Sequence, residues 1–335
     1  MMEWYLPVVW AGLIGAAVAL YVILDGFDLG IGILFPYAKE DKERDQMINS
    51  IAPFWDGNET WLVLGGGGLL VAFPHAYAVV MPALYLPVFL MLFGLIFRGV
   101  AFEFRTVADT SKKYWTFAFT AGSTVAAFCQ GLILGGLIQG IKVENGAFAG
   151  GSFDFLTPFA LLCGLGVVTG YALLGACWLN MKTHGPVADR ARAHAKLLLF
   201  GVLAFMAIVS VWTPLQFPRI AERWFSLPNI LFLWPIPVIT ALVAFLAWRW
   251  LERGREVLPF LAAIVLFMLG YAGLAISVSP YLVPHSITIW DAAAAPASQF
   301  FMLLGTLPLL PIILMYTGFV YFVFRGKLRE GEGYH

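Results

Sequence analysis

The chain has 335 residues, of which 61% are hydrophobic and only 12% charged, against about 25% charged in an average soluble domain. Its 20 Lys and Arg balance 20 Asp and Glu, and no basic block is present to neutralise phosphates, which excludes nucleic acid as a partner. With a mean hydropathy of +0.83, the pattern is that of an all-α multi-pass membrane protein whose solvent is the lipid bilayer.

Apolar runs of roughly 20 residues are needed to cross about 30 Å of hydrocarbon. Nine are expected, over 6–36, 51–73, 78–104, 114–140, 153–181, 195–214, 230–250, 257–279 and 297–325. The N-terminus, MMEWYLPVVW, has no positive leader and reads as a retained first helix, not a signal peptide. The connecting segments are short, so residues 1–335 read as one transmembrane domain with no soluble module.

Helix one carries Asp25 and Asp28, and helix two carries Asp56 and Glu59. An ionised side chain at membrane depth costs about 2.5–3.5 kcal/mol even on the lenient insertion scale, so such groups pair, face a protein interior or move ions. At a spacing of three, Asp56 and Glu59 are expected on neighbouring parts of one helix face. Helix three ends with Arg98, Glu103 and Arg105, which are expected as charge partners at the same level. Trp55 and Trp61 read most simply as interface anchors and packing residues, with a contact to a quinone or lipid headgroup as the alternative.

Orientation follows from the basic residues. With the N-terminus outside and the C-terminus inside, seventeen fall on the inner side: Lys39, Lys42, Arg44, Arg98, Arg105, Lys112, Lys113, Lys182, Arg190, Arg192, Lys196, Arg249, Arg253, Arg255, Arg325, Lys327 and Arg329. Only Lys142, Arg219 and Arg223 fall outside. All four helical carboxylates then lie in the inner half. Helices one to four (1–140) hold the polar groups, whereas 141–335 reads as packing and partner contacts. Small residues four apart, such as Gly26 and Gly30 or Gly131 and Gly135, suit close helix packing.

Metal and haem ligands are sparse. His75, His184, His194, His285 and His335 fall in predicted loops, helix ends or the tail, and Cys129, Cys163 and Cys177 sit singly in apolar runs. The expectation is that this chain holds no metal and ligates no haem.

The segments LDGFDLGIGILFPY, APFWDGNETWLVLGGGGLL followed by AFP, ALYLPV and GLIFRGVAFEFR occur in order from Leu24 to Arg105. In them the chain resembles subunit II of the cytochrome bd family of quinol oxidases, including its cyanide-insensitive branch. The rest of the chain fits that family by length and hydropathy. The resemblance implies a bacterial cytoplasmic (inner) membrane enzyme that oxidises quinol and reduces O2 to water. Haem b and haem d are then held by a partner, subunit I, which also carries the quinol-oxidising loop; the two subunits form a heterodimer, with room for small accessory subunits and a bound quinone. It implies a fold of two four-helix bundles plus a peripheral helix, and a proton path at Asp56 and Asp25. For Asp28 and Glu59, proton transfer and a structural ion pair both stand. A proton-coupled transporter and a non-catalytic scaffold for a haem-bearing partner are the alternatives.

Overall fold

The structure, a computed structural model, describes residues 2–328, so that Arg329 and His335 lie outside the described residues. It is helical almost throughout. Helix α1 (Met2–Leu34) runs through a 3-10 turn, Phe35–Tyr37, into a short helix α2 (Asp41–Asn49). Then come α3 (Trp55–Ala72), α4 (Pro74–Val107) and α5 (Lys112–Gln139). A two-stranded hairpin, β1 (Val143–Glu144) with β2 (Ala147–Phe148), leads to α6 (Pro158–Lys182) and α7 (Gly185–Gln216). Helices α8 (Pro218–Phe225), α9 (Asn229–Leu233), α10 (Pro235–Glu252) and α11 (Leu258–Val278) precede a second hairpin, β3 (Tyr281–Val283) with β4 (Ile287–Thr288). Helix α12 (Pro296–Val323) closes the described chain.

Among the described residues, eight stretches are long and apolar enough to cross a membrane; α9 and α10 form one of them, Asn229–Glu252. The run expected at 51–73 is not among the eight. Its helix, α3, begins WDGNET, and those polar residues lower its hydropathy. Other boundaries move as well: α7 starts ten residues before the expected 195, and α8 is an additional helix. Helix α4 bends at Leu84, whose φ of −118° and ψ of 17° fall between Pro82 and Pro87. A proline cannot donate to the preceding turn and its ring crowds it, so two in succession bend the helix.

Helix α1 is the hub, packed against α3, α5 and α6 and touched by α11 and α12. Its approach to α6 is backbone on backbone. A Cβ at Gly30 would collide with the Tyr171 carbonyl and the Gly175 amide, and one at Gly175 with Gly30 itself; the small-residue spacing is realised as a helix crossing. Helices α4 and α5 meet in the same manner at Gly94 and Gly122.

The two ends of the bundle differ. One end gathers α2, the C-terminus of α4, the start of α5 and the α6–α7 and α10–α11 turns, cross-linked by Arg105–Asp45, Lys112–Asp45, Arg190–Glu43 and Lys196–Glu252. The other end carries both hairpins. There His75, expected in an exposed loop, instead sits in the first turn of α4, half-buried, with Nε2 2.9 Å from the Gly146 carbonyl and Nδ1 3.3 Å from that of Asp291.

A buried carboxylate cluster as candidate functional site

Tyr21, Asp25 and Asp28 occupy positions i, i+4 and i+7 of α1, which form one stripe of a helix, and all three are buried. The stripe faces α3, α4 and α5, whose polar side chains meet it in three separate contacts.

Around Asp25 the partner is Arg98 of α4, itself 2% exposed. Its Nη1 donates to Asp25 Oδ1 at 2.5 Å and its Nη2 to Glu59 Oε1 at 2.5 Å. The planar fork of a guanidinium suits two acceptors at once, where an ammonium would not hold both in fixed geometry. Arg98 is carried there by the close approach of α4 and α5, since a Cβ at Gly122 would press on the Arg98 amide. The guanidinium lies 5.7 Å from the Trp55 ring centroid, and Trp55 packs on Phe102. Glu59 is 28% exposed at its side chain, so the ion pair links a sealed carboxylate to one that reaches the surface.

Asp28 is satisfied differently. Asn58 Nδ2 donates to Asp28 Oδ2 at 2.7 Å and to the Leu24 carbonyl at 3.2 Å, while Asn58 Oδ1 accepts from the Tyr321 hydroxyl at 3.0 Å. Toward the middle of the bundle, Gln130 of α5 donates to the Tyr21 oxygen at 2.8 Å and accepts from the Tyr171 hydroxyl at 2.6 Å. Asp25 Oδ2 and Asp28 Oδ1 are buried without a hydrogen-bond partner. Each acid thus has one oxygen held and one free, and a buried polar atom left free is costly unless the site uses it.

The expected residues divide. Asp25, Glu59 and Arg98 come together, with Asp28 one turn away on the same stripe. Asp56 is exposed on the outer face of α3, and its side chain makes no hydrogen bond or ion pair; only its backbone carbonyl accepts, from Thr60. Glu103 is exposed and joins no ion pair, and Arg105 is fully buried but turned away from the cluster. Arg105 Nη1 pairs with Asp45 of α2 at 2.5 Å, Nε donates to Thr116 Oγ1 at 3.0 Å, and the guanidinium covers the Phe35 ring. Of the two tryptophans, Trp61 is 2% exposed and packs on Ala17 and Tyr21, which realises the packing half of the expectation. Asn58, Tyr21, Gln130, Tyr171 and Tyr321 were not among the expected site residues. Tyr21 was recoverable as the i−4 neighbour of Asp25, whereas Tyr321 lies 263 residues from Asn58 and gave no local signal.

Among the described residues no group of three His, Cys, Asp or Glu is placed to hold a metal ion. The ring nitrogens of His75 face two carbonyls, His194 packs edge-on to Tyr37, His285 stacks on Phe217 and His184 precedes α7.

A helical membrane protein with paired carboxylates sealed beneath one end of its bundle defines a class, and comparison with known proteins makes it specific. The family described as cytochrome bd terminal oxidase subunit II matches residues 6–324. The cytochrome bd-I ubiquinol oxidase subunit 2 of Escherichia coli (strain K12) is 30% identical over 364 residues, covering 97% of this chain and 95% of that protein. The cytochrome bd ubiquinol oxidase subunit 2 of Bacillus subtilis (strain 168) is 28% identical over 337 residues, covering 96% and 97%. In fold, the chain resembles one in the structure of bd oxidase from Geobacillus thermodenitrificans, with a TM-score of 0.80 over 96% of this chain and 98% of that one, at 19% identity. The chain belongs to the subunit II family of cytochrome bd terminal oxidases. It is therefore a multi-pass membrane subunit of an oxidoreductase complex, and its family implies a subunit I beside it.

Proposed function

We propose that this chain is the haem-free subunit II of a quinol oxidase in the bacterial inner membrane, and that it supplies a proton inlet from the cytoplasm. Quinol, ubiquinol in the named relatives, is oxidised and O2 reduced to water in subunit I, which holds haem b and haem d. Of the described histidines, His75 faces two backbone carbonyls, His184 precedes α7, His194 lies within α7 and His285 lies in the second hairpin. In this reading α3 is the ninth crossing. It runs antiparallel to α1, from the Asn58–Asp28 contact at one end to the Gly68–Ile14 contact and the apolar cluster of Ala72 with Trp10 at the other. The helices form two four-helix bundles with one peripheral helix, and α2 lies on the cytoplasmic side, where the basic residues gather. The polar groups of 1–140 conduct, while 141–335 packs and supports.

The observation that carries the proposal is the α1 stripe. Two fully buried carboxylates sit one turn apart, each with an oxygen free, and Arg98 joins the deeper one to the part-exposed Glu59. Protons enter at Glu59 and pass to the Asp28–Asp25 pair. Asp56 serves at the subunit boundary. The outward face of α3 reads Asp56, Thr60, Val63, Gly67, Leu70; a carboxylate, a hydroxyl and a glycine form a poor lipid face but a good protein contact, and subunit I covers it.

The test is oxygen consumption per haem in the purified complex. Asp25→Asn keeps size and a hydrogen-bond acceptor for Arg98 but cannot carry a proton. It is expected to slow turnover at least about tenfold with haem content intact and to abolish the solvent-isotope effect. Asp56→Asn should slow turnover less. Turnover per haem equal to that of the unmodified enzyme in Asp25→Asn defeats the inlet. Haem lost in step with activity would favour a scaffold, since stripping one partner from a buried pair destabilises by about 3–5 kcal/mol.

A further inference from the structure

The Asp28 carboxyl is the one buried acid of the cluster with no cation as its hydrogen-bond partner. What holds it is an amide, and that amide is fully used. Asn58 is 1% exposed; both of its nitrogen contacts go to α1, to Asp28 Oδ2 and the Leu24 carbonyl, and its oxygen accepts from Tyr321. An amide that can turn end over end would offer Asp28 either a donor or an acceptor. The Leu24 carbonyl, which can only accept, removes that freedom by holding the NH2 group on α1, and the Tyr321 hydroxyl donates to Asn58 Oδ1 and steadies the amide from its other end.

Tyr321 is itself held by contacts remote from the acids. Its ring stacks on Phe54 at 4.5 Å and lies edge-on to Trp178 at 6.3 Å. Three residues on, Lys182 of α6 clamps the end of α12: Nζ donates to the Phe324 carbonyl at 2.6 Å and the Gly326 carbonyl at 3.1 Å, above the Phe54 and Trp178 rings. The rest of α12 is loosely attached. Gln299, at its far end, is its one buried residue, with Nε2 donating to the Ala72 carbonyl. So a peripheral helix, pinned near each end, delivers one hydroxyl to the acid cluster.

We infer that Asn58 and Tyr321 are positioning residues for proton transfer through Asp28: the Leu24 carbonyl and the Tyr321 hydroxyl together hold the Asn58 amide, which holds Asp28 Oδ2 and leaves Oδ1 free to exchange a proton with Asp25. This rests on the proton-inlet reading. In the step itself an O–H bond at Asp28 breaks as one at Asp25 forms, and no other bond changes.

The experiment uses the intact complex with Tyr321→Phe, which removes one oxygen and keeps the stacked ring. Haem content and quinol KM should be unchanged. Turnover per haem should fall about two- to tenfold, the range of one lost hydrogen bond, and the deficit should deepen as pH rises and protons become scarce. In infrared difference spectra, the carboxyl signal that Asp28→Asn abolishes should shift in Tyr321→Phe. A turnover, pH profile and infrared signal all unchanged in Tyr321→Phe, while Asp28→Asn slows the enzyme, overturn the positioning role and leave the inlet standing. An unchanged turnover in Asp28→Asn overturns both at Asp28. Asn58→Gln, which restores an amide, should recover part of what Asn58→Leu loses; equal loss in the two counts against the inference, and Tyr321→Phe remains decisive if the Asn58 variants fail to assemble.

Discussion

One guanidinium serves two acids in this cluster, and that arrangement makes Arg98 the side chain whose loss is least recoverable. Replacing it with Met leaves Asp25 sealed in the bundle with no counter-charge, a change of about 3–5 kcal/mol for a broken buried pair. The expected outcome is a complex that loses its cooperative thermal transition and its haem together. Arg98→Lys retains the charge but not the fork, and should retain haem while slowing turnover. A Met variant as heat-stable as the parent would show that Asp25 needs no partner. The residues themselves were legible, because carboxylates inside an apolar run announce their cost in the sequence. Which of them face one another was not. Residues three apart on a helix differ by about 60° in direction, enough for Glu59 to reach Arg98 while Asp56 turns outward, and for Asn58 between them to point into the core.

Among the elements, α2 shows how a charged nonapeptide can be structural. DKERDQMIN has no apolar face long enough to signal a helix, and it lies between the first two expected crossings. Its stability comes from its ends and its neighbours: Glu43 closes a capping box with Glu40, and Asp45, Glu43 and Asp41 reach Arg105, Arg190 and Arg44 on α4, α7 and α2 itself. The hydrogen bond from Arg44 lowers the Asp41 carboxyl below its ordinary value, and that from Arg190 does the same for Glu43. A carboxylate whose folded pKa is depressed contributes stability above its unfolded pKa of about 4, and that contribution is lost as pH falls through the folded value. Amide hydrogen exchange over 41–49 should therefore be protected evenly from about pH 5 to 8 and lose protection below about pH 4. Protection that instead declines toward pH 8 would mean that the clamp depends on other groups. The same segment fixes the entry to α3 through the Ser50 carbonyl, which accepts from Trp178 Nε1 at 3.3 Å.

For the whole molecule, the periodic and compositional signals were strong where helices are apolar and weak where they carry polar residues, as at the start of α3. Eight crossing stretches could be read from hydropathy, and α3 was read as a crossing only by tolerating Asp56 and Glu59 in its first turns. The two hairpins and α8 were missed because two- and three-residue strands and a two-turn amphipathic helix fall below any window used to find spans. Sidedness is testable directly. Single cysteines at Gly146 and His285 should react with an impermeant thiol reagent added outside cells, whereas those at Lys42 and Lys112 should not; the reverse pattern would invert the proposed inlet.

The placement of the acids on α1 also bears on how the chain is made. Asp28 precedes its partner Asn58 by 30 residues, and Asp25 precedes Arg98 by 73. At a synthesis rate of about 5–20 residues per second, Arg98 is made about 4–15 s after Asp25. During that interval α1 carries Asp25 without the guanidinium that pairs with it and, for the first part of it, Asp28 without Asn58, each acid adding about 2.5–3.5 kcal/mol to the transfer of α1 into lipid. In the proposed topology, membrane integration of α1 is therefore coupled to that of α3 and α4, the two helices that carry its partners.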